Sequence, residues 1–333
     1  MRLGKNNGPF RTPWTWTLIC AWVLCFGVST SLPLAFGKET SPLLVVLGNA
    51  QDGGYPQAGC SKTCCEPAWN EPKLRRFVSC LGIVDRVSGQ RFLFDCTPDF
   101  REQLRLLDEI TAKHSPSLAI QQIDGIFPTH AHVGHYTGLM HLGREVMGTR
   151  GIPVYAMPRM KYFLESNGPW SQIVDLKQIA VRRIAAGIPV QLNKRLTITP
   201  MLVPHRDEFS ETVAFKIDGP NKSALYLPDI DKWDRWEVRI EDVIRDVDYA
   251  FLDGTFAEPD ELPGRDMSEI PHPFIAESVE RFSKLARSER EKIWFIHFNH
   301  SNPIIRELAA KSDLTLITGT GLNAAKQGMT LEL

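Results

Sequence analysis

Three of the chain's nine histidines fall within the six residues His130-Ala131-His132-Val133-Gly134-His135. They follow an apolar run, Ile123-Asp124-Gly125-Ile126-Phe127, that reads as a strand. On extended chain, side chains repeat every two residues, so His130 and His132 point the same way. His135 falls at the turn into a helix and can come round to the same point. Neutral imidazole is the commonest protein ligand for metals, and zinc takes two or three of them. Folding alone does not call for histidines at i, i+2 and i+5, so the stretch is a candidate metal motif rather than a surface loop.

The stretch, with Gly138-Leu139 after it, resembles the first metal motif of the metallo-β-lactamase superfamily, His-x-His-x-Asp-His followed by Gly-Leu. Ligands in that superfamily stand just after strands. His205 after Leu196–Val203, Asp229 after Ser223–Leu227 and His297 after Ile293–Ile296 match the later positions. Other stretches are similar to the branch that contains the pyrroloquinoline quinone biosynthesis protein B: Asp52-Gly53-Gly54-Tyr55-Pro56-Gln57, Thr97-Pro98-Asp99-Phe100, Leu252-Asp253-Gly254-Thr255-Phe256 and Pro271-His272-Pro273-Phe274. The likeness spans residues 43–333. It implies an α/β fold, the four-layer αββα sandwich of the metallo-β-lactamase type.

The resemblance further implies that His130, His132 and His205 hold one metal, that His135 and His297 hold a second, and that Asp229 bridges them. It makes Asp229 and His297 catalytic residues as well as ligands. Zinc, one or two ions, is the expected cofactor, with ferrous iron as an alternative, since histidines plus a carboxylate suit both. A metal lowers the pKa of its water from about 15.7 to about 7. The expected activity is hydrolysis of an ester, phosphoester or amide in a small-molecule substrate. The alternatives are an iron-dependent oxygenase related to quinone synthesis and a non-catalytic binder that keeps the fold. Gly134 stands where the family has Asp. Glycine can neither ligate nor move a proton, so weak or absent occupancy of the second site is expected. Asp231, Asp253, Glu211 and His272 are candidates for the missing base, and Asn299 and His300 line the same expected pocket.

Cys60, Cys64 and Cys65 follow the first strand. The quinone-synthesis relatives carry a zinc-binding cysteine loop near there. Four ligands complete a structural zinc, so a fourth is needed, with Cys80 and Cys96 as candidates. A disulfide is the alternative in an oxidising compartment. Cys80 and Cys96 otherwise read as free core thiols.

The chain has 333 residues, 43% hydrophobic and 23% charged, with a formal charge of −1. Nothing in that balance calls for nucleic acid or an acidic membrane. Residues 1–37 differ in kind. Arg2, Lys5 and Arg11 precede an uncharged, Trp-rich run from Trp14 to Val28, and Ala35 and Gly37 supply small residues at its end. That pattern describes a cleavable export signal, with an uncleaved membrane anchor over residues 14–28 as the alternative. Residues 38–333 then form a single domain. Its location is expected to be periplasmic or secreted.

Periodicity supplies the scaffold. Strands are expected at 43–47, 77–85, 91–96, 152–156, 180–184, 189–193, 196–203, 212–218, 223–227, 249–252, 293–296, 314–318 and 329–332. Helices are expected at 98–114, through Leu139, Leu142 and Val146, and at 160–167, 236–245, 273–288 and 303–311. No linker divides them, so two sheets flanked by helices belong to one domain.

Overall fold

Side chains of the run Leu43-Leu44-Val45-Val46-Leu47 alternate between two separate cores. Leu43, Val45 and Leu47 face one, while Leu44 and Val46 face the other. Every residue of that strand is buried, which is the mark of a sheet covered on both faces. The computed structural model describes residues 40–118 and 122–333, and the expected leader or anchor lies outside them.

Among the described residues there are two seven-stranded sheets. The first comprises β1 (Leu43–Gly48), β2 (Cys80–Val84), β3 (Arg91–Phe94), β4 (Gly125–Phe127), β5 (Ile152–Ala156) and β6 (Ile179–Arg183) in that order, with β14 (Thr330–Glu332) against β1. The second runs β13 (Asn323–Ala324), β12 (Ile293–Ile296), β11 (Tyr249–Asp253), β10 (Ser223–Leu227), β9 (Val213–Asp218), β8 (Thr197–Leu202), β7 (Val190–Gln191). The sheets pack face to face where the Phe215 ring of the second meets Phe94 and Phe127 of the first, with centroids 5.6 and 5.5 Å apart. Helix Phe100–His114 covers the outer face of the first sheet with Phe100 and Leu107. Helices Ile240–Arg245, Ile275–Phe282 and Pro303–Ala310 cover the second. The order of layers is therefore αββα.

Strand direction matters most for the site. β10, β11 and β12 are parallel, as are β3 and β4. β8 is antiparallel to β9, which is antiparallel to β10, so β8 and β10 point the same way. By the same count β1 and β3 agree. Within each sheet, the loops leaving these strands emerge at one edge.

Four expected elements differ, one of them the helix expected over 273–288, which stops at Phe282 and resumes only as the short helix Arg287–Arg290. The helix expected through Val146 is instead a short turn, Val133–Tyr136, and a 3-10 helix, Thr137–Leu142. Cys96 intercepts the helical ladder, donating its N–H to His135 O and accepting from Gly138 N, both at 2.9 Å. The expected helix over 236–245 starts only at Ile240, because Trp236 is extended and its Nε1 donates to Leu202 O. The strand expected at 314–318 is a turn. Its Thr318 N–H and hydroxyl both close on Leu314 O, so the apolar run never extends.

Candidate metal centre

Five histidines converge where the two sheets open, and each is fixed through one ring nitrogen. Thr129 donates its hydroxyl to Asp95 Oδ1 at 2.9 Å, so its oxygen accepts the Nδ1–H of His130 at 3.0 Å. Thr255 donates to Asp253 Oδ1 at 2.7 Å and accepts from His297 Nδ1 at 2.9 Å. His135 Nδ1 donates to Asp95 Oδ2 at 2.8 Å, and His205 Nδ1 to Asp231 Oδ1 at 3.2 Å. His132 is turned the other way, with Nε2 on Glu208 Oε2 at 3.0 Å. An imidazole that donates one N–H to oxygen presents the lone pair of its other nitrogen, which is how histidine ligands are oriented.

Those other nitrogens face Asp229, which follows β10 and is 2% exposed. His130 Nε2 and His205 Nε2 are each 3.3 Å from its carboxylate, and His132 Nδ1 is 4.0 Å away. Ligand atoms on a tetrahedral ion with bonds of about 2.0–2.1 Å stand about 3.3 Å apart. His135 Nε2 and His297 Nε2 lie 3.9 and 4.0 Å from Asp229 Oδ2, the oxygen that also faces His130 and His132. The Nε2 atoms of His135, His205 and His297, and Asp229 Oδ1, are buried without a hydrogen-bond partner. Unsatisfied buried polar atoms are costly, and these four, divided between two neighbouring ligand groups, fit cations.

The charges agree. Burial, with the charge of His135, pushes the His130 pKa well below its ordinary value, and burial lowers His132 and His297. All three are thereby neutral, as ligands must be. Burial opposes ionisation of Asp229, but His205, His272 and His297 outweigh it and hold its pKa well below the carboxylate range. Burial also opposes the charged form of His135, yet Asp95 and Asp52 outweigh it and raise that pKa well above the ordinary. A position that two carboxylates make favourable for a proton suits a metal ion for the same reason.

Asp52 is the residue that motif reading missed. Its carboxylate Oδ1 lies 3.2 Å from His135 Nε2 and 4.0 Å from His297 Nε2. The expectation that Gly134 leaves this side without a further carboxylate is therefore corrected: one is present, from the loop after β1. The available signal was position, since that loop leaves a strand as the other ligands do. Asp95 was missed as well, although it too ends a strand.

The other candidates separate. His272 Nδ1 sits 2.8 Å from Asp253 Oδ2 and 3.1 Å from Asp229 Oδ1, so it belongs to the centre. Burial disfavours its charged form, but Asp253 and Asp229 prevail and its pKa is pushed up to about 9. Asp253 is fully buried and spent on Thr255, His272 and the Ile230 N–H. Asp231 is paired with Arg235 as well as His205. Glu211 caps the helix at Arg159. None of these three carboxylates serves as a free base. Asn299 donates to Ser301 rather than to the centre.

His300 is not a pocket residue. Its Nδ1 lies 3.3 Å from Cys65 Sγ and 3.6 Å from Cys64 Sγ, while the sulfurs of Cys60 and Cys64 are 3.7 Å apart. Zinc bonds of about 2.3 Å to sulfur and 2.0–2.1 Å to nitrogen give tetrahedral edges of about 3.8 and 3.6 Å. The fourth member is therefore His300, not Cys80 or Cys96. Those two are fully buried free thiols beneath the first sheet, too far into the core to reach it. All five described cysteines are unpaired, so the expected disulfide alternative is not what the structure has.

The family model described as the β-lactamase superfamily domain matches residues 90–298. The chain belongs to this superfamily. Within it, coenzyme PQQ synthesis protein B of Rhizobium meliloti is 27% identical over 323 residues, covering 89% of this chain and all of that one. The protein of the same name from Xanthomonas axonopodis is 24% identical, covering 87% of this chain. Among solved structures, zinc-bound PqqB from Methylobacterium extorquens superposes with a TM-score of 0.69 at 21% identity, over 87% of this chain and 100% of that one. A diphosphatase of the PhnP family superposes with a TM-score of 0.60 at 24% identity, over 88% and 97%. This superfamily member thus shares its two-sheet fold with both a quinone-synthesis protein and a hydrolase.

Proposed function

We propose that this superfamily member is a metal-dependent hydrolase of small phosphoesters, with zinc in its centre. The observation that carries this is the position of Asp229, whose carboxylate lies 3.3–4.0 Å from ring nitrogens of both ligand groups, His130, His132 and His205 in one and His135 and His297 in the other. One carboxylate shared by two groups of imidazoles is a frame for two ions. When bound, such ions supply Lewis acidity and a water of lowered pKa.

The protein's own residues do the rest. Thr129, Thr255, Asp95, Asp231 and Glu208 set the ring orientations, so the donor atoms need no rearrangement to meet a cation. His272, gripped by Asp253, is placed beside the shared carboxylate to pass a proton to the departing oxygen. His132, at the mouth, is the most exposed of the ligand histidines. The diphosphatase among the structural neighbours is a reason to try a phosphoester before an amide.

The test is metal analysis of the purified chain together with turnover of bis(p-nitrophenyl) phosphate and of p-nitrophenyl acetate. Bound zinc with phosphodiester cleavage that vanishes in His132→Ala supports the proposal. Bound iron with oxygen consumption, or no tightly held metal, overturns it.

A further inference from the structure

His135 and His297 are fully buried, and each has an Nε2 without a hydrogen-bond partner. Both nitrogens are directed to Asp52 Oδ1, which is itself buried and unpartnered. Position 134 supplies an independent observation. A Cβ placed on Gly134 would lie 2.1 Å from Asp52 Oδ1 and 2.6 Å from Asp52 Cα, closer than any real side-chain contact. The space a side chain at 134 would need is already filled by the Asp52 carboxylate and its backbone.

We infer that Asp52 is the carboxylate ligand of the second divalent-cation position, beside His135, His297 and the shared Asp229, and that Gly134 is glycine to admit it. The inference rests on the metal-centre reading above and adds how its second half is built. In the superfamily motif the carboxylate comes from the turn that carries the histidines. Here it comes from the opposite direction, from the loop after β1.

That loop is held firmly enough to do so. Asn49 and Ala50 donate to Phe77 O, Gln51 N donates to Phe298 O at 2.8 Å, and Phe298 N donates to Asn49 O at 2.8 Å. Gly54 N closes a turn on Gln51 O at 2.7 Å, and Tyr55 exchanges hydrogen bonds with Arg76. Asp52 therefore sits at the tip of a turn whose two flanks are both fixed, one of them to the segment that follows His297.

The experiment is zinc titration of the metal-stripped full chain, followed by calorimetry and native mass spectrometry, with circular dichroism to confirm folding. Asp52→Ala and Asp52→Asn should each bind one ion fewer than the unaltered protein, or bind it at least tenfold more weakly. Gly134→Asp alone should lose that ion too, because the two side chains collide. Full stoichiometry and affinity in both Asp52 variants would overturn the role of Asp52 and leave the hydrolase proposal standing. Identical zinc uptake by the unaltered chain and His132→Ala would instead remove the metal centre itself, and the Asp52 inference with it.

Discussion

Thr129 and Thr255 perform the same task on opposite sheets. Each stands just past a strand end, donates its hydroxyl to a buried aspartate and accepts the Nδ1–H of a histidine whose Nε2 faces the centre. Replacing either by Val keeps the volume and removes the acceptor. Such supporting contacts are worth about 10–100-fold in metal affinity. Thr129→Val and Thr255→Val should weaken zinc by that factor in competition with a chelator, while the Thr→Ser variants remain near the unaltered protein.

The Tyr226 hydroxyl reaches across from the second sheet to Asp95 Oδ2 at 3.0 Å, and both residues are fully buried. Tyr226→Phe leaves Asp95 one donor short. A hydrogen bond to a charged group is worth about 1.5–3 kcal/mol. Urea unfolding should show a loss of that size at unchanged slope. A loss under 0.5 kcal/mol, on the order of an ordinary surface substitution, would mean that this contact does not tie the sheets together.

His272 gives a prediction that depends on the leaving group. General acid catalysis contributes about 10²–10⁴-fold, and matters most when the departing oxygen is basic. His272→Asn should slow cleavage of methyl or phenyl phosphodiesters by that range and p-nitrophenyl esters far less. Zinc content should stay unchanged. An equal loss on both substrates would assign His272 to binding or to positioning Asp229 instead.

The cysteine and histidine group has a test of its own. Cys64→Ser should remove one zinc equivalent and lower Tm, because a structural ion contributes directly to folding energy. Cys80→Ser should leave zinc stoichiometry alone, since Cys80 is a core thiol whose Sγ lies against the backbone carbonyls of Leu81 and Asp95. Loss of zinc in both variants would show that the loop site is not made of these four residues.

Much of this arrangement was legible beforehand, and the boundary has a physical cause. His130, His132 and His135 announce themselves because local spacing on one strand-to-turn segment fixes their directions. Strand ends at Leu227 and Ile296 were visible as apolar runs, so Asp229 and His297 could be placed. Sequence alone puts His300 at the pocket, because nothing in it says that His297 adopts a φ of 68° and that the third residue beyond it reaches the cysteines. Non-glycine residues adopt that backbone only when surroundings impose it, at a cost of about 1–3 kcal/mol. Asp52 escaped for a related reason. Its partner, Gly134, is informative only as an absence, and an absence in one loop does not point to a replacement in another until three-dimensional contact shows the collision. The failed strand at 314–318 is the usual short apolar run, in which a threonine hydroxyl settles the matter locally.

The donors come from nearly the whole length of the chain. Asp52 follows β1, while His297 follows the twelfth strand. A growing polypeptide holds His130, His132, His205 and Asp229 well before His297 exists, so the first group of donors is complete while the second still lacks its last histidine. The second group is thus closed only near the C-terminal end of the sequence.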